Sequence, residues 1–79
     1  MSKLVELRKN LQTKQADMAA IFNEAGVELD LNKVTSLKGS TEERVAFVRS
    51  LNAEMADLQK QVETLADLEN MQKASRGYQ

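Results

Sequence analysis

The chain has 79 residues with no Cys and no His, and its 11 Lys and Arg are interspersed with 12 Asp and Glu. One small domain without disulfides, structural zinc or a clustered basic stripe is implied, which removes disulfide scaffolds, zinc modules and nucleic-acid binders. Phe22, Phe47 and Tyr78 are too few aromatics to stack bases upon.

The opening stretch MSKLVELRKNLQ mixes charge with leucine and lacks the apolar core of a signal peptide. No apolar run approaches the roughly 18 residues that cross a bilayer, so a soluble, cytoplasmic chain without membrane contact is expected. From Ser2 to Ala25, within a first segment 1–26, Leu4, Leu7, Leu11, Met18, Ile21 and Ala25 form one helical stripe. Lys14 interrupts it. Val5, Ala19 and Phe22 widen the apolar face, a width that suits more than one neighbour. Ser2 can cap the start and Gly26 the end.

Segment 27–39, VELDLNKVTSLKG, reads two ways. Val27, Leu29 and Leu31 alternate with Glu28 and Asp30 as a short strand would. Alternatively, Asp30 caps one or two helical turns that stop at Gly39. The favoured combination is an extended step leading into a short helical turn, with Val34 and Leu37 covering the ends of longer helices. A lone strand has no partner here, so a sheet is not expected.

Segment 40–74 opens with STEE, where Ser40 and Glu43 make a capping box and Thr41 is an equally good cap. Glu42 and Glu43 suit the positive end of the helix dipole. Val48, Leu51, Met55, Leu58, Val62 and Leu65 then alternate at spacings of three and four, a coiled-coil rhythm that tightens at Leu68 and Met71. Asn52 falls beside this seam and is read as solvated. Glu69 and Lys73 stand four apart in the favoured order for a small surface pairing. Residues 75–79, SRGYQ, read as a flexible polar tail.

The fold expected is all-α, with two long helices as an antiparallel hairpin or coiled-coil-like pair, joined by a linker with a short helical turn. The first helix is the shorter, so folded back it would leave the turns around Leu65, Leu68 and Met71 bare. A chain this short buries a small fraction of its surface, which favours packing against copies of itself. The plainer reading of the seam is an intramolecular core. Met18, Met55 and Met71 read as gap-fillers.

No catalytic constellation is present. Without His or Cys the commonest bases, nucleophiles and soft ligands are missing, and Glu63, Asp67 and Asn70 read as a solvated face. KGST lacks the first glycine and spacing of a phosphate loop. Neither catalysis, a cofactor, a metal nor a small-molecule ligand is expected.

LVELRKNLQTKQADMAAIFNEAG and then DLNKVTSLKGSTEERVAFVRSLNAEMADLQKQVETLADLE resembles the start of tailed-bacteriophage major capsid proteins with the Johnson fold, the Hong Kong ninety-seven type. Many of these open with a Leu, Arg, Lys and Ala-rich helix, a short acidic linker, and a helix reading L-N-A-E-x-x-x-L, here Leu51, Asn52, Ala53, Glu54 and Leu58. The resemblance covers nearly the whole chain and implies a scaffolding (delta) domain, an excerpt of a larger capsid precursor. Such a segment lies inside the precursor shell in the host cytoplasm, gathers coat subunits into hexamers and pentamers, and is commonly removed by the maturation protease. The linker GVELDLNKVTSLKG is longer than in many relatives.

The expected interaction seam is Val48, Leu51, Met55, Leu58, Val62, Leu65 and Leu68. The expected packing face of the first helix is Leu4, Leu7, Leu11, Met18, Ile21 and Phe22, and the caps are Ser40, Glu43, Gly26 and Gly39. Partners are copies of the same chain and the maturation protease, which would take the segment as its substrate. Two other classes stay open: a stand-alone helical adaptor or chaperone, and a membrane-surface peptide, against which the mixed-sign polar face argues.

Overall fold

Ser2 starts the first helix by accepting the Val5 N–H on its hydroxyl oxygen at 3.2 Å, which satisfies a free donor of the opening turn. In the computed structural model, which describes residues 2–77, helix α1 runs Lys3–Ala25. It ends at Gly26, where φ reaches +71° and the N–H donates to the Phe22 carbonyl.

The linker is a turn where an extended step was expected. Leu29 N–H closes on the Gly26 carbonyl at 3.0 Å and Asp30 N–H on the Ala25 carbonyl at 3.2 Å. Leu29 sits at φ +55°, a left-handed conformation uncommon for a leucine, with its side chain exposed. Tight reversal straight after α1 explains why the alternation of Val27, Leu29 and Leu31 builds no strand among the described residues. Asp30 does cap the next element, its carboxylate accepting the Asn32 N–H at 3.0 Å. That element is a three-residue 3-10 turn, Leu31–Lys33, shorter than the one or two helical turns expected.

Helix α2 runs Thr41–Gly77, beyond the expected stop at Ala74, so Ser75, Arg76 and Gly77 are helical. The remainder of the expected 75–79 tail, Tyr78 and Gln79, lies outside the described residues, as does Met1. The capping box forms: Ser40 N–H donates to Glu43 Oε1 at 3.1 Å, and Glu43 N–H to Ser40 Oγ at 3.2 Å. Arg44 ties linker to helix, donating from Nη1 to the Leu31 carbonyl at 2.9 Å and from Nε to the Gly39 carbonyl at 3.1 Å. Thr41 and Asn32 bond each other through their side chains.

The Ser40 backbone N–H, and after it the Ser40 hydroxyl, favours the charged form of Glu43 and holds its carboxyl below the ordinary 4.5. A depressed folded-state value means that the cap's contribution is complete at neutral pH and drains away as pH falls through that value. Below pH 4.5 the melting temperature of the native chain is therefore expected to fall more steeply than that of Glu43→Gln, which cannot titrate. Thermal scans across a pH series check this; parallel curves would contradict it.

The two helices pack antiparallel in a body of 59 × 22 × 18 Å. Two apolar clusters fill the seam. Near the linker, Met18, Ile21, Ala25, Val34, Leu37 and Leu51 are buried together, and Val34 is only 1% exposed. Toward the open end, Leu4, Leu7 and Leu11 bury Val62, with Leu58 and Leu65 packed alongside. Lys14, the interruption in the α1 stripe, falls between the clusters and reaches Glu54 across the seam at 2.9 Å. Met55 packs against both clusters, a position suited to its unbranched, adaptable side chain.

Two side-chain expectations are corrected. Phe22 is 43% exposed and stands beside the packing face, because the stripe that α1 buries is narrower than its apolar content. Val5 and Ala19 are exposed for the same reason. Glu69 and Lys73 form no ion pair; among the described residues only Lys14–Glu54 and Lys33–Glu28 come within 4.0 Å. Asn52 is solvated as expected.

Candidate interaction surface

Every seam residue from Val48 to Leu65 meets α1 or the linker. Leu51 and Val62 are buried, while Val48, Met55, Leu58 and Leu65 are half-buried against the two clusters. The ridge expected to face sibling molecules is thus covered from within the chain, as the plainer reading of its spacing allowed. Leu68 departs from this pattern and is 53% exposed. The physical reason is length. α1 has 23 residues and α2 has 37, and α1 begins level with Leu65, where Leu4 packs beside Leu65 and Ala66. From Leu65 to Gly77 the helix projects unaccompanied for roughly 18 Å at 1.5 Å per residue.

Met71 on this overhang is 65% exposed, one turn beyond Leu68, so the pair prolongs the apolar edge past the point where α1 can reach. At the opposite end Phe47, near the start of α2, is 52% exposed. Leu68 and Met71 thus form a small exposed apolar patch, while Phe47 stands apart from it. Val27 and Leu29 on the linker turn are exposed too.

Two shallow grooves flank the seam. Near the open end, Lys3 and Leu7 look across about 320 Å³ to Lys60, Gln61, Thr64 and Leu65. Near the linker, Asp17, Ile21 and Glu24 face Leu37, Phe47 and Leu51 across about 410 Å³. The open-end groove carries two lysines against Asp57, whereas the linker-end groove is lined by carboxylates without a cation. Lys14, with its ion pair to Glu54, marks the boundary between them.

Glu63, Asp67 and Asn70 all lie toward solvent, and Glu63 accepts a 3.1 Å bond from Gln59. No group of three potential metal ligands exists among the described residues. None of the described helices is long and apolar enough to cross a membrane. No known protein family, curated protein or solved structure matches the chain.

Spacing placed the α1 stripe, the α2 seam and the caps Gly26, Ser40 and Glu43 correctly on their helices, whereas Gly39 stops no helix because the 3-10 turn already closes at Val34. It missed the Lys14–Glu54 pair and the exposure of Phe47. Lys14 breaking a leucine stripe was the available signal for the first: a cation there needs a carboxylate opposite. Phe47 immediately precedes Val48, so its side chain points a step away from the seam, and a helical projection would have revealed that.

Proposed function

We propose that this chain is a structural assembly module that associates with copies of itself. On this reading it serves as the scaffolding segment of the capsid proteins it resembles, gathering coat subunits inside a precursor shell, with the maturation protease as its second partner. The observation that supports it is the α2 overhang, where Leu68 and Met71 extend an otherwise filled seam into solvent. Contacts of this size are weak singly. They become effective when many copies are held at high local concentration, as subunits of a shell are.

The hairpin changes which substitution probes association. Leu58 packs beside Leu4, Leu7 and Leu11, so Leu58→Asp damages the fold as well as any contact between chains. Leu68→Asp combined with Met71→Asp introduces charge only where solvent already reaches. Sedimentation velocity over a concentration series is expected to show the native chain associating and the double variant remaining monomeric, with equal helix content by circular dichroism. A native chain that stays monomeric at every concentration would overturn the reading and favour an adaptor for an unrelated partner.

A further inference from the structure

The side of the hairpin that carries both grooves is self-complementary, and we infer that two copies pair through it, antiparallel about a two-fold axis level with Asn10. This rests on the self-association proposed above and adds the surface, register and symmetry.

The register comes from the hairpin itself. Lys14 meets Glu54, and Met18 packs with Leu51, so Asn10 of α1 lies level with Gln59 of α2. Along α1, Lys3, Glu6, Asn10, Lys14 and Asp17 succeed one another at three- and four-residue steps and share one side of the helix. Lys3 and Asp17 each lie seven residues from Asn10, and Glu6 and Lys14 each lie four. Turning a second copy over about Asn10 therefore sets Lys3 of each chain against Asp17 of the other, and Glu6 against Lys14. Each oppositely charged pair occurs twice, as a two-fold contact requires.

The same axis acts on α2. Phe47 and Met71 are equally distant from Gln59, so Phe47 of one copy falls on the overhang of the other, level with Met71 and one turn from Leu68. Two exposed apolar features at opposite ends of one helix thereby cover each other. Arg76 in the last turn comes level with the acidic first turn at Glu42, and antiparallel helices also align their dipoles favourably. The 59 Å length places these apolar contacts far apart, at the two ends of the pair. Between them the face is polar, carrying the Lys14–Glu54 bridge and Gln61. Register thus comes from charge, while cohesion comes from the ends.

The absence of Cys makes the axis testable on the full chain. Asn10→Cys puts a thiol on the two-fold axis, within reach of its own copy, whereas Gln12→Cys points to another side of α1. Mild oxidation is expected to cross-link Asn10→Cys into a covalent dimer and leave Gln12→Cys largely uncoupled. Charge reversal supplies an independent arm. Lys3→Asp and Asp17→Lys are each expected to weaken association roughly tenfold, and the double reversal to restore it, because opposite charges face again. A native chain that associates, yet shows no Asn10→Cys cross-link and no rescue, would overturn this pairing while leaving self-association standing. A native chain that never associates would overturn both.

Discussion

Leu51→Asp is expected to abolish the hairpin. Leu51 is 7% exposed and sits in the cluster with Met18, Ile21, Ala25, Val34 and Leu37. Truncating such a leucine to alanine costs about 2–5 kcal/mol through lost transfer energy and the cavity left behind. A carboxylate adds the penalty of an unpaired charge in an apolar setting, which Lys14 cannot offset because Glu54 already engages it. A chain of this size holds roughly 4–12 kcal/mol in total, taking about 0.05–0.15 kcal/mol per residue. The substitution consumes most or all of that. Far-ultraviolet circular dichroism is expected to register a large loss of helix at room temperature, since helices separated from their partners are marginal in water. Leu68→Asp, on the same helix but in solvent, is the control and should melt near the native temperature. Similar melting of both variants would mean that α1 does not cover the seam.

The contrast between these two leucines marks how far the sequence could be read. Three- and four-residue spacing identifies a helix and its apolar edge, because that depends only on the turn of the backbone. It carries no information about what covers the edge. That was decided by two quantities outside the pattern: the linker's ability to reverse tightly and the unequal helix lengths. Gly26 made the reversal visible. Leu29 in a left-handed conformation did not, since nothing in a leucine's chemistry announces a positive φ. The capping box was legible to the residue because its bonds are local. The Lys14–Glu54 bridge spans forty positions, and only the folded hairpin brings it together. Gly77, expected in the polar tail, belongs to the last turn of α2 instead, because a glycine near a helix end costs only about 1 kcal/mol relative to alanine.

Heptad spacing selected Val48 to Leu65 as the sticky ridge, and those residues are buried or half-buried against α1 and the linker. The residues left over, Phe47, Leu68 and Met71, flank or succeed the ridge, where the pattern loses its regularity. An amphipathic helix wide enough for two neighbours satisfies one within the chain and presents the remainder to solvent. The charges divide in the same way. Lys14 bridges to Glu54 at the rim of the seam, whereas Lys3, Glu6 and Asp17 on the same side of α1 form no ion pair among the described residues.

Gly39→Ala is expected to have the second largest effect on stability, and its cause is a single crowded turn. Gly39 has φ +96°, outside the region an L side chain adopts comfortably, and strain of that kind costs of order 1–3 kcal/mol. A Cβ there would also lie 2.9 Å from Glu43 Cδ and Oε2, so the carboxylate must move. Moving it breaks the bond to Ser40 N–H and disturbs the carbonyl that accepts from Arg44 Nε. The helix start and the linker strap therefore loosen together. At about 4–8 °C per kcal/mol for a domain of 60–100 residues, differential scanning calorimetry should resolve the change. Gly26→Ala separates the two causes. Its φ of +71° imposes backbone strain, but a Cβ there meets nothing within 4 Å. The excess destabilisation of Gly39→Ala over Gly26→Ala then measures the clash with the cap. It should vanish when Glu43→Ala is introduced, since the displaced group is no longer present. An excess that survives in that background would place the crowding elsewhere and leave the capping box without its assigned part in holding linker to helix.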